Sequence, residues 1–419
     1  MGSLKRVVEF VLPRDLYRLL VAPYHLAWAV ASALYYRFPA RSLTVVLITG
    51  TKGKSSVTEM VAVILAEAGH VVAVSSTIHF AIGSDVRPNK FKMTLPGRGF
   101  IQKFLREAVD KGATHAVIEV TSEAALQYRH LFLSPNALVF TNLEKEHLES
   151  HGGMENYFRA KYRIGRELEN SSKRPRAIVA NADNAYGERF LGLRVEERIP
   201  FRLEDAQNLS LADTRTRFDF NGVRVSLQHP GAFSALNALA SLRVTEFLGV
   251  TTSVGAEALG KLSKIAGRAE RIEAGQNFLA IVDYAHTPDS LEALYKAYPD
   301  RRKICVLGNT GGGRDVWKRP EMGRIADTFC DVVILTDEDP YDEDPSTIVD
   351  AMAQGMKRSP VICLERREAI RTALLQAQEG DVVLITGKGT DPYIMRAHGA
   401  KETWSDATVV REELEKIVR

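Results

Sequence analysis

Thr44-Val45-Val46-Leu47-Ile48-Thr49-Gly50-Thr51-Lys52-Gly53-Lys54-Ser55-Ser56 is the stretch on which the fold turns. Thr44 to Ile48 is a short β-branched, apolar run, the composition of a strand buried in a parallel sheet. Gly50 to Ser56 breaks the run, and Val57 to Ala68 reads as a helix. Strand, glycine-rich turn and helix open an α/β nucleotide-binding domain. Gly50 and Gly53 let backbone N–H groups converge on phosphate, Lys54 supplies a mobile cation and Ser55 offers a hydroxyl to Mg²⁺. The N-terminus of the following helix faces the same charge. Thr51 and Ser56 complete the cradle, and the ligand it suits is ATP. Only two residues separate the first glycine from the Gly-Lys pair, against four in the general phosphate loop. A chance glycine turn with surface lysines is the bland alternative, and placement between strand and helix argues against it.

Outward from the loop, strand and helix patterns alternate. Val71 to Ser75, Ala116 to Val120, Ala137 to Thr141 and Ala177 to Asn181 read as strands, with helices over Gly99 to Lys111 and Tyr157 to Glu169. Such crossovers imply a mostly parallel sheet covered on both faces. From Phe201 to Gln228 the segments shorten and alternate, and Asn221-Gly222 between apolar alternations predicts a hairpin. A helix over Ala235 to Leu248 follows. Five more strand patterns, starting at Ala280, Lys303, Val332, Val361 and Val382, make a second, smaller α/β domain. The expected division is an apolar helical segment at 1–43, an ATP-binding domain at 44–266 and a C-terminal domain at 267–419. In fold class this is a central phosphate-loop ATPase-like α/β domain on a parallel sheet, then a Rossmann-like α/β domain.

Open sheets bind ligands beyond the carboxyl ends of their strands, so residues there are site candidates. Glu119 ends one strand, and acidic groups in a phosphate site imply Mg²⁺; a helix cap is its bland reading. His147 follows another strand, as a metal ligand or a satisfied loop imidazole. In the second domain Asp283 to Pro288 and Gly308 to Pro320 each link a strand to a helix, the latter as an anion-friendly turn carrying Arg314, Lys318 and Arg319. Asp337 to Pro345 holds six acidic residues. It is either a solvated turn or a place where an amine docks.

Composition narrows the classes. The chain has 419 residues and a formal net charge of +3 with the charges interspersed, which argues against a nucleic-acid partner. Cys305, Cys330 and Cys363 are odd in number, widely spaced and flanked by apolar residues, so they read as core thiols of a reducing compartment rather than a disulfide framework. Leu19 to Tyr36 is almost wholly apolar or aromatic, flanked by Arg14, Arg18, Arg37 and Arg41. Three readings stand: a helix packed on the body, an interfacial helix making peripheral membrane contact through residues 16–38, and a membrane span at the lower length limit.

With these motifs in place the chain resembles the Mur ligases, which build the peptide stem of peptidoglycan, and most of all their third-residue-adding type. The resemblance spans roughly Val45 to Asp391. It rests on Gly50 to Ser56, Thr141-Asn142-Leu143, Arg268-Ala269-Glu270-Arg271 and Asp283 to Ser290 (DYAHTPDS). It implies a cytoplasmic ATP-dependent amide-bond ligase, possessing two Mg²⁺ ions, that joins an amino acid to a UDP-N-acetylmuramoyl-L-alanyl-D-glutamate acceptor through an acyl phosphate. By that resemblance Lys54 holds the β- and γ-phosphates, Ser55 and Glu119 one Mg²⁺, and His147 a second. Lys161 matches a lysine carbamylated in the family; from its residues alone the position reads as solvent-facing. Asn237, Arg268 and His286 match residues around the nucleotide, with Asp283 beside them, and Thr94, Ser122, Gln127 and Arg129 match contacts to the muramyl dipeptide. Carrying ATP and the amine on different domains makes closure an expected step.

Three departures qualify the match. With the loop at Gly50 there is no room for the family's UDP-binding domain, which opens a non-UDP or lipid-linked acceptor at the inner membrane face as the alternative, beside a ligase of the folylpolyglutamate synthase type. Glu338-Asp339-Pro340-Tyr341 stands where diaminopimelate-adding enzymes have Asp-Asn-Pro-Arg, and a phenol cannot replace a bidentate guanidinium. The amine is therefore diaminopimelate, lysine or another. Gly387-Lys388-Gly389-Thr390-Asp391 keeps a carboxylate, Asp391, for an α-amine, while Thr390 replaces a histidine and Glu123 stands where another is usual.

Overall fold

The computed structural model describes residues 14–97, 99–146 and 148–418, which form two compact units. One comprises residues 1–143 and 155–200, the other 144–154 and 201–419.

The first unit is built on β1 (Thr44–Thr49), β2 (Val72–Ser75), β3 (His79–Ile82), β4 (Asp85–Pro88), β5 (His115–Glu119), β6 (Ala137–Phe140), β7 (Ala177–Asn181) and β8 (Glu197–Phe201), in the sheet order 4-3-2-5-1-6-7-8. β2, β5, β1, β6 and β7 run parallel, while β3 and β4 extend the edge as an antiparallel meander. β1 lies in the middle, and Val45, Val46, Leu47 and Ile48 have no exposed surface, as a non-alternating run requires. Ile48 sits level with Glu119 on one neighbour and Val139 on the other. That register brings the Gly50 loop, Glu119 and Thr141 together at the carboxyl ends of three adjacent strands. The β3–β4 meander is invisible to a search for helical crossovers, because its strands are short and β4 is fully exposed.

Arg14–Tyr35 is a helix with Pro23 inside it. Ser32 and Ala33 are buried, and the turn at Gly99 comes so close that a Cβ there would lie 2.7 Å from Ser32 Cβ. The left-handed Phe38 then sets its ring edge-on to Phe132, with centroids 5.8 Å apart. Tyr24, Leu26, Trp28, Val30, Leu34 and Tyr35 stay exposed. Among the described residues, no helix is long and apolar enough to cross a membrane.

In the second unit β9 (Gln207–Ala212), β10 (Arg215–Phe220) and β11 (Val223–Leu227) form an antiparallel sheet. Asn221 and Gly222 take positive φ of 49° and 76°, the hairpin anticipated from their sequence. The larger sheet contains β12 (Glu270–Ile272), β13 (Leu279–Asp283), β14 (Lys303–Leu307), β15 (Val332–Leu335), β16 (Val361–Ile362) and β17 (Val382–Thr386), ordered 12-13-17-14-15-16. All neighbours are parallel except β12 with β13. Apolar cores fill both faces, around Leu291, Tyr295 and Met322 on one and Ile370, Trp404 and Val410 on the other.

Cysteine usage departs from expectation. Cys305 and Cys330 are joined as a disulfide, and Cys363 is free. Sequence spacing hides this pair because β14 and the approach to β15 are neighbours only through sheet pairing.

Candidate active site

Gly50 begins the loop with no room for a side chain, since a Cβ would overlap Thr141 Oγ1. Thr141 and Asn142 brace the turn. Thr141 Oγ1 donates to Lys52 O at 2.6 Å, Thr51 N to Asn142 O at 2.9 Å, and Lys52 N to Asn142 Oδ1 at 2.9 Å. Gly53, with φ of 79°, is the N-cap of the Lys54–Glu67 helix. Its left-handed backbone aims the first helical amides at the loop, the arrangement that binds phosphate. Lys54 Nζ folds onto Thr51 O at 2.8 Å, while Thr51, Ser55 and Ser56 are buried.

Glu119, at the end of β5, faces this cradle. Ser55 Oγ donates to its Oε2 at 3.0 Å, and Thr77 reaches both oxygens, through its amide to Oε2 at 2.9 Å and through its hydroxyl to Oε1 at 3.1 Å. Thr77 Oγ1 also lies 2.8 Å from Thr94 Oγ1. A hydrogen-bonded chain Ser55–Glu119–Thr77–Thr94 thus joins the phosphate loop to a residue expected to touch the acceptor. Thr77 was not singled out in the sequence; a lone threonine in the β2–β3 turn carries no motif.

Lys161, on the Met154–Glu169 helix, is 1% exposed and donates from Nζ to Gly50 O at 2.6 Å. The solvent-facing reading of its residues is therefore corrected. The helix packs beside the loop, with Tyr157 Oη 3.2 Å from Thr51 Oγ1, and it carries the lysine inward. His147 lies outside the described residues.

Ser122 starts a short helix capped by Thr121, whose hydroxyl accepts from Ala124 N at 3.2 Å. Beyond its end Arg129 donates to Leu95 O at 2.7 Å and to Gln127 Oε1, so the expected dipeptide contacts Gln127 and Arg129 form one unit.

The second unit gathers two further clusters. Asp283, at the end of β13, accepts from Ala269 N and Ala285 N, each at 2.6 Å. Burial raises its pKa, opposed by the Arg268 charge. The carboxylate thereby ties the Arg268 turn to the His286 turn. Arg268 lies over the Tyr284 ring, and His286 places Nδ1 2.7 Å from Tyr284 O and Nε2 2.9 Å from Glu146 Oε1. Asn237 is half-buried on the Ala232–Phe247 helix.

The other cluster surrounds residues 338–341. Asp339 and Glu338 are each 3% exposed, which corrects the solvated-turn reading for this part of the acidic run. Lys388, wholly buried after Gly387, donates to Asp339 Oδ1 at 2.9 Å and Tyr393 O at 2.7 Å, with Asp391 Oδ2 at 3.4 Å. Glu338 accepts from Thr310 Oγ1 at 3.0 Å through Oε1, while its Oε2 is buried without a partner and fills the space where a Cβ of Gly387 would lie. Glu338 belongs to the acidic run read from sequence as a solvated turn or a docking place for an amine, and its burial argues against the first of these. Tyr341 is left-handed at φ of 55°, and the Arg314 guanidinium lies over its ring, 5.2 Å from the centroid.

Ser55 and Glu119 suit Mg²⁺. A hard dication takes oxygen donors, and a hydroxyl and a carboxylate converge at a helix N-terminus built for phosphate. Among the described residues, no three His, Cys, Asp or Glu side chains form a protein-only cage. Mg²⁺ characteristically binds through one or two protein oxygens plus substrate phosphates.

A phosphate loop, a hydroxyl–carboxylate pair beside it and a second α/β unit with buried carboxylates are parts that suit an ATP-dependent acid–amino-acid ligase. The Mur ligase middle domain matches residues 48–245 and the Mur ligase glutamate ligase domain residues 267–389. The UDP-N-acetylmuramoyl-L-alanyl-D-glutamate–2,6-diaminopimelate ligase of Syntrophomonas wolfei is 34% identical over 383 residues, 88% of this chain and 77% of that protein. The UDP-N-acetylmuramyl-tripeptide synthetase of a Roseiflexus species is 35% identical over 422 residues, 93% and 82% of the two chains. Among solved structures, a diaminopimelate ligase of the same description superposes with a TM-score of 0.61 at 28% identity over 90% of this chain and 79% of that one. The folylpolyglutamate synthase of Mycobacterium tuberculosis gives 0.71 at 18% identity over 87% and 93%, a likeness of fold alone. The chain belongs to the Mur ligase family, on the side of the third-residue-adding ligases.

Proposed function

We propose that this ligase adds an amino acid, diaminopimelate or lysine, to the D-glutamyl carboxylate of a UDP-N-acetylmuramoyl-L-alanyl-D-glutamate-like acceptor, using ATP and Mg²⁺. The observation that carries it is the Ser55–Glu119 bond at the mouth of a braced phosphate loop. The acceptor carboxylate attacks the γ-phosphorus of ATP, ADP leaves, and an acyl phosphate remains. The amine then attacks the acyl carbon, loses a proton and expels phosphate. When bound, Mg²⁺ supplies charge neutralisation between the two anions. Lys54 and the amides of residues 50–55 hold the phosphates, and Thr77 holds the Glu119 carboxylate in place. Lys161 reaches the loop from a buried helix face; carbamylation would convert this cation into an oxygen donor for metal, with His147 beside it in function.

In the second unit Asn237, Arg268 and His286 serve the nucleotide, with Asp283 tying the Arg268 turn to the His286 turn. Glu338 Oε2 is a buried acceptor for an ammonium, Asp391 serves the α-amine, and Arg314 over Tyr341 serves a carboxylate. Asp339 positions Lys388 rather than meeting the amine.

The N-terminal helix favours a cytoplasmic enzyme working at the inner membrane face, with a lipid-linked acceptor as the second reading. Its exposed face, from Tyr24 through Trp28 to Tyr35, carries no charge, and such a face suits a lipid interface. Ligation of muramyl dipeptide with single amines, read by product mass, tests the reaction. No amine-dependent product with any amine would refute it. Co-sedimentation with anionic liposomes tests the interface, and indifference to them would remove it.

A further inference from the structure

Residues 89–96 belong to neither helix nor strand, yet they carry Thr94, the residue that meets Thr77. Asn89, buried just after β4, pins this segment down. Its Nδ2 has two hydrogens, and they go to Ser76 O at 2.9 Å and Met93 O at 3.0 Å. Its Oδ1 accepts from Phe91 N at 3.0 Å, and its own backbone amide donates to Ile78 O at 3.1 Å. These partners set the side-chain amide one way round, since the reverse would press its oxygen against two carbonyls. The two carbonyls it holds belong to the residues immediately before Thr77 and Thr94.

Ser76 passes that hold on to Thr77. Ser76 N donates to His79 O at 3.0 Å, and Ser76 Oγ accepts from Ile78 N at 3.2 Å and His79 N at 3.1 Å. Residues 76–79 therefore move as one stiff turn, and Thr77 within it bonds both oxygens of Glu119. A single buried amide thus joins the turn that steadies the carboxylate suited to Mg²⁺ and the irregular segment that presents Thr94. With Asn89 out of water, loss of its donors leaves two carbonyls without a ready replacement.

We propose that Asn89 is a positioning residue of the ligation site, fixing its metal side and its acceptor side to one another through Ser76 and Met93. The proposal rests on the acceptor reading of Thr94 given above and adds the residue that sets where this threonine stands.

Asn89→Ala in the full chain tests it by two readouts: the acceptor KM in ligation, and the Mg²⁺ concentration for half-maximal ATP binding, followed by calorimetry. Each lost bond is a neutral one, so each quantity should rise about three- to tenfold. Metal-free ADP binding and the amine KM should stay at their wild-type values. Thr77→Val combined with Asn89→Ala should raise the Mg²⁺ requirement by less than the product of the single effects, because both act on Glu119 through one threonine. A folded Asn89→Ala within twofold of wild type in either quantity, or a full product in the double variant, overturns the proposal. Should Asn89→Ala fail to fold, Asn89→Asp, equal in size but unable to donate as a carboxylate, takes its place with the same expectations. If neither folds, Asn89 serves the fold and not the site, and the proposal falls. An acceptor KM unmoved by Thr94→Val, or no product from the wild type, would fail the acceptor reading instead. The Mg²⁺ titration of ATP binding, which needs neither, then decides on Asn89 alone.

Discussion

Replacing Thr77 by valine keeps the shape of the side chain and removes one hydroxyl. That hydroxyl bonds Glu119 Oε1 at 3.1 Å and Thr94 Oγ1 at 2.8 Å. The Glu119 carboxylate keeps two bonds to Oε2, from Ser55 Oγ and Thr77 N, so it stays in the site but loses the tie on its other oxygen. A hydrogen bond to a charged group is worth about 1.5–3 kcal/mol, or roughly 10- to 150-fold in rate if the full value is felt in the transition state. Thr77→Val should therefore lower kcat/KM for ligation by about one to two orders of magnitude and raise the Mg²⁺ concentration for half-maximal rate. Thr94→Val removes only the acceptor end of the chain and should raise the acceptor KM without moving the Mg²⁺ dependence. Thr77→Ser should restore most of the rate. Steady-state kinetics at varied Mg²⁺, with thermal melts as a folding control, measures all three. If folded Thr77→Val ligates within twofold of wild type at limiting Mg²⁺, Glu119 does not depend on this support and the reasoning fails.

Other consequences follow from the same geometry. Lys388→Met leaves Asp339 buried without its ion partner, so urea unfolding should show a loss of about 3–5 kcal/mol. Glu338→Gln removes the charge from the open Oε2 and should raise the KM of the amine about tenfold or more while leaving the KM of ATP unchanged, checked by initial rates. Burial lifts the Glu167 pKa from 4.5 to about 7, against backbone N–H bonds from residues 132–134. The folded chain then holds a proton that the unfolded chain releases, so stability falls as pH rises from 4.5 to 7, by about 3 kcal/mol from this group, and levels off above. Glu167→Gln should flatten that part of a stability–pH profile obtained by urea melts; an unchanged slope would assign it elsewhere.

The phosphate loop was legible because its chemistry is local: Gly50, Gly53, Lys54 and Ser55 act through a turn only a few residues long, between elements whose apolar patterns are strong. The parallel strands were legible for the same reason, since a strand buried on both faces advertises itself in a continuous run such as Val45 to Ile48. The Asn221-Gly222 hairpin, too, is a property of two residues. What the chain order could not disclose are contacts that arise only when distant elements meet. Thr77 becomes a support for Glu119 through the β2–β5 pairing, Lys161 turns inward because its helix packs beside the loop, and Cys305 on β14 finds Cys330 at the approach to β15. Arg314 comes to lie over Tyr341 in the same way, and Asp339 is claimed by Lys388. Sequence determined the kind of ligand, because phosphate recognition is written in backbone freedom and one cation. Tertiary structure decided which acids remain open to a substrate, because burial and pairing are settled only when the chain has closed on itself.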